Sequence, residues 1–231
     1  MEIKILHMIE GAKQAEGLAV IIDVFRAFSF ACYAMNNGAE TILPVGNQEL
    51  AYQLKKENPE YILAGERHGR ILEGFDYGNS PSQIEHVDFT GKTIIHTTSA
   101  GTQGIDNAKN ASQIVTGSLV NAKAIAAYIR KHNFQTVSLI CMGWEALRPT
   151  EEDTLCAEYI KAMLEGKELD LEKGIAHLKV TSGAKFFDKA QQDVFPERDF
   201  FLCTQANLFD FVLEVEKNRD GLNRIRKIEC R

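Results

Sequence analysis

The sequence lacks the cysteine pattern of a secreted protein held together by disulfides. Its five cysteines are an odd number, lie far apart and form no Cys-x-x-Cys pair. These features exclude a disulfide framework and a zinc site built from closely spaced cysteines. We therefore expect free thiols and a reducing, cytoplasmic environment.

Long hydrophobic runs and basic segments are also missing. The most apolar segment, residues 18–25, is interrupted by Asp23 and is far too short to span a bilayer. The first residues, Met1-Glu2-Ile3-Lys4, do not resemble a secretory signal. The net charge is −6, and no basic stretch is interleaved with aromatic residues. We expect neither a membrane nor a nucleic acid as a partner.

What the sequence does contain is a regular alternation of short apolar runs and longer segments of helical periodicity. Hydrophobic residues make up 45% of the 231 positions, which is enough for a large core. Strands are predicted at 17–23, 41–45, 61–64, 93–97, 113–116 and 136–142, and helices at 28–37, 47–57, 100–109, 121–131 and 150–164. The alternation predicts an α/β fold with three α/β/α layers and a mostly parallel or mixed central sheet.

Two helix starts carry recognisable capping residues. Asn47 is predicted to cap the helix at 47–57. Thr150, with Asp153 three residues later, comes close to a capping box at the start of the helix at 150–164.

The pattern changes after Gly166. Short helices are predicted at 169–178 and 184–191, and strands at 200–204, 209–215 and 222–228. We expect this tail to complete the edge of the sheet or to fold back over it. No linker or repeat interrupts the chain, so we predict a single domain over 1–231, with core βα units in 1–165 and an extension in 166–231.

Two turn-forming stretches, dense in glycine and charge, follow the predicted strand at 61–64. They are Gly65-Glu66-Arg67-His68-Gly69-Arg70 and Gly74-Phe75-Asp76-Tyr77-Gly78-Asn79-Ser80-Pro81. Glycines let a backbone approach a ligand closely, carboxylates hold cations, and arginines bind anions through paired hydrogen bonds. The combination indicates a site for a small anionic molecule and a metal ion.

Other polar residues follow predicted strands, at the carboxyl ends where parallel sheets bind ligands. Asp23 ends the first strong strand, and Arg26 lies one turn later. The further candidates are Thr97-Thr98-Ser99-Ala100-Gly101-Thr102, Gly117-Ser118 with Asn121, Gly143-Trp144, and Glu151-Glu152-Asp153.

Each candidate also has a purely structural explanation. An aspartate at a strand end is often a helix cap, and Glu152 and Asp153 in a first helical turn favour the macrodipole without any function. The loop at 97–102 is either an ordinary turn or an anion cradle of free backbone N–H groups at a helix start. His96, inside a strand, is interpreted as a core residue or as a support for the site.

Taken together and in order, these motifs resemble the 2-phosphosulfolactate phosphatase family over roughly residues 17–160. The match consists of Asp23-Val24-Phe25-Arg26-Ala27, Gly65-Glu66-Arg67, the stretch 74–81, the loop 97–102, Gly117-Ser118 with Asn121, and Glu152-Asp153. The stretch 74–81 is the most specific piece, and the tail after Gly166 adds little.

The resemblance implies a magnesium-dependent hydrolase with a three-layer α/β/α fold. It would convert (2R)-2-phospho-3-sulfolactate into (2R)-3-sulfolactate and phosphate, a step of coenzyme M biosynthesis in methanogens, and it suggests a homodimer. Three positions depart from the family pattern: His68 stands in place of glycine, Ser29 in place of threonine, and Ala100 in place of a polar residue. These departures leave the reaction class unchanged and bear on the exact substrate.

We hypothesise that Mg²⁺ is held by Asp23 and Glu66, with Asp76 or Asp153 as further ligands, because magnesium takes oxygen ligands and keeps several waters. Arg26 and Arg67 would clamp phosphate or sulfonate, and the backbone of the loop 99–102 would cradle another anionic group. The predicted catalytic residues are Asp23, Arg26, Glu66 and Arg67, and the predicted substrate-binding residues are Thr98, Ser99, Gly101, Thr102, Ser118, Asn121 and Asn79.

The nucleophile stays open between Asp23 and a metal-bound water. Haloacid-dehalogenase phosphatases use Asp-x-Asp, whereas Phe25 stands at the second acidic position here. A cysteine mechanism is rejected because six residues, not five, separate Cys141 from Arg148. Three other functions remain: hydrolysis of other 2-phospho-carboxylates, isomerase or lyase chemistry on small carboxylates, and non-catalytic binding of an anionic metabolite.

Overall fold

A computed structural model describes residues 1–217 and 221–230. Its strands are β1 (Glu2–His7), β2 (Leu18–Ile22), β3 (Thr41–Pro44), β4 (Ile62–Arg67), β5 (Arg70–Ile71), β6 (Thr93–Thr97), β7 (Gln113–Gly117), β8 (Thr136–Cys141), β9 (Phe211–Lys217) and β10 (Asn223–Glu229). Its helices are α1 (Met8–Lys13), α2 (Ala27–Asn36), α3 (Gln48–Glu57), α4 (Pro81–Ile84), α5 (Gly101–Asn107), α6 (Ala122–His132), α7 (Glu151–Glu165), α8 (Leu171–Leu178) and α9 (Glu197–Thr204). Short 3₁₀ turns cover Leu119–Asn121, Ala184–Phe187 and Lys189–Gln191.

Within the described residues the strands form one mixed sheet in the order β1-β8-β2-β7-β9-β10-β3-β6-β4-β5. Two parallel groups stand out, β1-β8-β2-β7 on one side and β3-β6-β4 on the other. The antiparallel hairpin β9–β10 joins them, because β9 pairs with β7 and β10 pairs with β3. The predicted α/β architecture with helices on both faces of a mixed sheet is confirmed.

The sheet is strongly curved. β2 and β4 lie six positions apart, and a flat sheet with about 4.8 Å per strand would separate them by roughly 29 Å. Yet α5, which follows β6, packs on β2: a Cβ on Gly104 would lie 2.6 Å from Cγ2 of Ile21. Because the hairpin is antiparallel, the strands of the two groups run in opposite directions. A twist of roughly 20–25° between neighbouring strands turns the carboxyl ends of the two groups back toward each other.

Side-chain alternation explains the layers. All five residues of β2 are buried. Leu18, Val20 and Ile22 pack against α6 and α7, whereas Ala19 and Ile21 face the central cluster that also contains Ile42 and Ile94 of the second strand group. A strand buried on both faces is apolar throughout, which is why β2 is readable from the sequence.

The two predicted helix caps have different outcomes. Asn47 caps α3 as expected, since its Oδ1 accepts a hydrogen bond from Leu50 N at 3.0 Å. The predicted capping box at Thr150 is wrong, because Thr150 makes no side-chain cap and the Asp153 carboxylate is bonded to other loops.

The tail departs most from expectation. Residues 200–204 belong to helix α9 rather than to a strand, because Phe200, Leu202 and Cys203 are buried in a pattern that does not alternate. The hairpin β9–β10 lies in the middle of the sheet, not at its edge. β1, α1 and α4 were not predicted. None of the helices in the described part is long and apolar enough to cross a membrane, and all five cysteines are free.

Candidate active site

A pocket opens at the carboxyl ends of the strands. Residues that follow β2, β4, β6 and β8 line it, and the tail adds one wall through Phe195. Among the predicted site residues, the pocket brings together Asp23, Arg26, Glu66, Asn79 and Ser99. The curvature of the sheet is therefore what assembles the site from both strand groups.

Asp23 lies at the floor of this pocket, directly after β2. Its Oδ1 accepts a hydrogen bond from Ala27 N at 3.1 Å, at the start of α2. A Cβ on Gly101 would lie 2.9 Å from Asp23 Oδ2, so glycine at this position lets the start of α5 approach the carboxylate. Burial raises the pKa of Asp23 to about 7, and the nearby carboxylates of Glu66 and Glu152 contribute to the rise.

Glu66 links the turn after β4 to the loop at 97–102 on the other side of the pocket. Its Oε1 accepts a hydrogen bond from Ser99 N at 2.8 Å, and its Oε2 accepts bonds from Ser99 Oγ at 3.2 Å and Gly69 N at 2.7 Å. Thr102 N donates to Thr98 Oγ1 at 3.1 Å. Thus the loop at 97–102, predicted as an anion cradle, directs these two amides to the protein's own oxygens, and Thr98 and Thr102 are buried beneath the pocket.

Arg26 is buried in the pocket wall with its charge already paired. Its Nη1 donates to Asp199 Oδ2 at 2.8 Å and to Val194 O at 2.9 Å, and its Nη2 donates to Gly69 O at 3.1 Å. Asp199 is fully buried. This carboxylate, which comes from α9 in the tail, fixes the direction of the guanidinium.

Arg67 and Asp76 are not part of the pocket lining. Arg67 donates to Glu66 O at 2.7 Å, Gly46 O at 3.2 Å and Thr97 Oγ1 at 2.9 Å, so it braces loops. The Asp76 carboxylate accepts a bond from Leu63 N at 2.8 Å, near the amino end of β4 and away from Glu66. The Asp76 carboxylate therefore ties the turn at 74–81 to β4 and lies apart from Asp23.

Asp153 and its neighbour Glu152 lie beneath the pocket at the start of α7. Asp153 accepts hydrogen bonds from Val24 N and Gly143 N, both at 2.8 Å, and so ties together the loops after β2 and β8. Burial, with the charges of Glu152 and Asp23, raises the pKa of Asp153 well above its usual range. Glu152 is 3% exposed, and its Oε2 has no hydrogen-bond partner. In the described part of the chain, no three His, Cys, Asp or Glu side chains are arranged to hold one metal ion.

The remaining predicted residues support the site from below. Ser118 and Asn121 form a fully buried capping box, and Ser118 Oγ lies 2.7 Å from Ser29 Oγ. Asn79 lines the pocket, and its Oδ1 lies 3.1 Å from Nε2 of His96. Burial lowers the pKa of His96 to about 3, so the ring is neutral. The interpretation of His96 as a core residue or a support agrees with this position.

His68 lies at the mouth of the pocket rather than inside it. Its Nδ1 is 2.7 Å from Oε1 of Glu145, which lies in the loop after β8 and lines the pocket. The pair connects the turn after β4 with that loop.

The contribution of the tail to the pocket was not predicted. Phe195 lines the pocket, Asp199 pairs with Arg26, and Lys185 lies among the aromatic rings of the pocket wall. One signal was available in the sequence: five phenylalanines occur within residues 186–201. Such density is unusual for a surface extension and indicates a packed wall.

Comparisons with known proteins point in one direction. A family model described as 2-phosphosulpholactate phosphatase matches residues 4–218. Three similar proteins are each named "Probable 2-phosphosulfolactate phosphatase". The Bacillus subtilis (strain 168) protein is 34% identical over 203 residues, 86% of this chain and 87% of that protein. The Caldanaerobacter subterraneus protein is 38% identical over 207 residues, 84% and 85% of the two chains. The Caldicellulosiruptor saccharolyticus protein is 41% identical over 148 residues, 62% and 61%.

Proposed function

The chain belongs to the 2-phosphosulpholactate phosphatase family and is a phosphoric monoester hydrolase, and from these premises we propose that it hydrolyses (2R)-2-phospho-3-sulfolactate to (2R)-3-sulfolactate and phosphate with the help of Mg²⁺. The observation that carries the proposal is the buried Asp23 carboxylate, which faces a pocket shared with Glu66 and Arg26.

The reaction places one oxygen of water on phosphorus and breaks the bond between phosphorus and the oxygen on C2. That C2 oxygen leaves with a proton, and the second proton of the water passes to the medium or to phosphate. Asp23 is the carboxylate we assign to the reacting phosphorus. The amide of Ala27 holds one of its oxygens at 3.1 Å, so the carboxylate has a fixed direction.

Two of the buried acids are those we assign to the magnesium ion. Asp23 and Glu152 are both buried and close enough for Glu152 to raise the pKa of Asp23, and Glu152 Oε2 has no partner. Asp153 has both oxygens occupied by amides, and Asp76 lies elsewhere. Asp23 and Glu152 would therefore hold the ion, with Glu66 facing the same pocket and water completing the coordination. When bound, Mg²⁺ neutralises charge on the phosphoryl oxygens.

A phosphate-release assay tests the proposal. The panel is 2-phospho-3-sulfolactate, 2-phospholactate and phosphoglycolate, each assayed with Mg²⁺ and again after chelation with EDTA. We expect release from the sulfonated substrate that stops on chelation and returns when Mg²⁺ is restored. A protein that binds these compounds calorimetrically without releasing phosphate would be a binding module, and preferred release from the non-sulfonated esters would identify a phosphatase of other 2-phospho-carboxylates.

A cytoplasmic location, a role in coenzyme M biosynthesis, and a homodimer without nucleic acid remain predictions.

A further inference from the structure

Lys185 lies in a ring of aromatic side chains beside the pocket. Its Nζ is 4.2 Å from the ring centroid of Trp144, 5.1 Å from that of Phe195, 5.5 Å from that of Phe186 and 6.0 Å from that of Phe25. Trp144, Phe195 and Phe25 line the pocket. Ring faces attract a cation and hold it in place without using its hydrogens.

The ammonium keeps its hydrogen-bond donors unused. Among the described residues, the Lys185 ammonium forms no hydrogen bond or ion pair, and its charged neighbours act only at longer range. An ammonium has three donors and no acceptor. A partly buried cation with three unused donors next to a pocket is prepared for an anion that the protein itself does not supply.

The contrast with the arginines strengthens this interpretation. Arg26 is neutralised by Asp199, and Arg67 donates to three oxygens of the protein. Asp23 and Glu66 line the pocket with Glu152 beneath it, and a substrate with several negative charges needs a cation there. Lys185 supplies a positive charge that is not paired with a carboxylate of the protein.

We propose that Lys185 is a substrate-binding residue whose ammonium donates hydrogen bonds to the sulfonate of the substrate; the proposal rests on the function proposed above. The phosphoryl group is assigned to the side of Asp23, which leaves the aromatic side of the pocket for the C3 end. A sulfonate spreads its charge over three oxygens, so it loses less on leaving water than a compact carboxylate does. Its oxygens can accept hydrogen bonds from the unused donors of the ammonium.

The groups that face Lys185 agree with this geometry. Burial lowers the pKa of Lys185, and Arg26 acts in the same direction, whereas Glu152, Asp23 and Asp153 favour the charged form. The ammonium thus contacts the aromatic rings and has the acids as charged neighbours.

The test compares Lys185→Met with Lys179→Met. Lys179 is a matched control, because its Nζ also rests on aromatic rings of the tail, 4.7 Å from Phe187, but on rings that do not line the pocket. Each variant is assayed for kcat and KM with 2-phospho-3-sulfolactate and with 2-phospholactate. Binding of (2R)-3-sulfolactate is measured by calorimetry, and melting temperatures establish that the variants are folded.

We expect K185M to raise KM for the sulfonated substrate and to lower its kcat/KM by about 10- to 100-fold more than that of 2-phospholactate, as expected for a lost charge-assisted hydrogen bond. Sulfolactate binding should weaken by a similar factor. K185R should recover most of the preference, and K179M should behave as the wild type. Should K185M fail to fold, K185Q replaces it.

Equal losses on the two esters, or no loss on either, would overturn the assignment of Lys185 while leaving the phosphatase proposal intact. If the wild type releases no phosphate from 2-phospho-3-sulfolactate and does not bind sulfolactate, the proposed function and the sulfonate contact fall together. The wild-type result thus separates the two failures.

Discussion

Two regions of the chain build the pocket by different means. The βα units between β2 and β8 supply carboxylates at strand ends, such as Asp23 and Glu66. The segment between α8 and β9 supplies Phe195, Asp199 and Lys185, none of which follows a strand. The topology of the sheet places the first set, whereas side-chain packing places the second.

The difference has a consequence for charge. The first region makes the pocket acidic, and the second decides which cations are available there. Asp199 forms an ion pair with Arg26 and neutralises its charge, whereas the aromatic rings hold Lys185 without neutralising it. We therefore expect substrate recognition to depend on the tail and the chemical step to depend on the strand-end acids.

The largest effect is expected from Asp23→Asn. The substitution removes the carboxylate assigned to phosphorus, so kcat for phosphate release should fall about 10³-fold or more, roughly 4 kcal/mol. Stability should not fall, because a buried charge next to Glu66 and Glu152 is removed.

An acid-quenched single turnover of the wild type distinguishes direct attack by Asp23 from attack by water. A phosphorylated Asp23 peptide indicates direct attack, and ¹⁸O entry from solvent without a covalent species indicates attack by water.

Asp76→Asn is the matched control for Asp23→Asn. Asp76 is an aspartate from the motif at 74–81, but its carboxylate bonds to Leu63 N outside the pocket. D76N should retain kcat within a few-fold. A loss of kcat in D76N as large as in D23N would show that lying in the pocket does not decide whether an aspartate acts in catalysis.

The joint between the two regions is tested by Asp199→Ala. Removing one partner of the buried Arg26–Asp199 pair leaves an uncompensated charge and should cost about 3–5 kcal/mol in the free energy of unfolding. It also strands Ser80 Oγ and Ser82 N, which donate to Asp199 at 2.8 and 2.9 Å. Urea denaturation measures the loss.

Asp193→Ala provides the comparison in the same segment. Asp193 pairs with Arg70 at 3.5 Å, and both side chains are 70% exposed. A surface substitution of this kind should change the free energy of unfolding by less than about 0.5 kcal/mol. Equal losses in the two variants would contradict the view that Asp199 anchors the tail to the pocket.

The same division explains what was predictable from the sequence. β2 was readable because a strand buried on both faces is apolar throughout, and Asp23 and Glu66 were found because strand ends meet at one rim. The partners of Arg67 and Asp76 were not readable, since a turn rich in charge looks alike whether it binds a ligand or braces a loop. Asp199 and Lys185 were missed because their positions depend on how the tail folds back over the sheet.

A third prediction concerns His96, which supports Asn79 from the core. Burial lowers the pKa of His96 from 6.5 to about 3, so the unfolded chain binds a proton that the folded chain does not. The stability contributed by the neutral ring is fully present above pH 6.5. It is lost as the pH falls toward 3, by about 1.4 kcal/mol per pH unit.

Urea denaturation between pH 7 and pH 4.5 measures this dependence in the wild type and in His96→Gln, which cannot titrate and keeps an amide donor for Asn79. The difference between the two free energies of unfolding should shrink by roughly 2–3 kcal/mol over this range. Other titrating groups cancel in the difference. Parallel curves for the two proteins would mean that His96 is not held neutral.

The smallest effect, and one whose sign in stability depends on magnesium, is expected from Glu152→Gln. Glu152 is buried next to Asp23 and Asp153, and its Oε2 has no partner. Without magnesium, removing this charge should stabilise the protein by a net amount of roughly a few tenths of a kcal/mol, because relief of like-charge repulsion in the buried cluster, about 1 kcal/mol, exceeds the loss at the helix start. With magnesium, E152Q should lose part of the stabilisation that binding of the ion gives to the wild type.

Glu151→Gln separates this effect from that of the helix start. Glu151 occupies the same first turn of α7, but its side chain is 52% exposed. Both substitutions remove a favourable interaction with the macrodipole, about 0.3–1 kcal/mol, whereas E152Q alone relieves buried repulsion. Relative to the wild type, the melting temperature of E152Q should therefore rise without Mg²⁺ and fall with Mg²⁺. The melting temperature of E151Q should shift in the same direction under both conditions. If both variants respond to Mg²⁺ as the wild type does, Glu152 is not a ligand, and the unpaired carboxylate belongs to the structure of the cluster rather than to its metal.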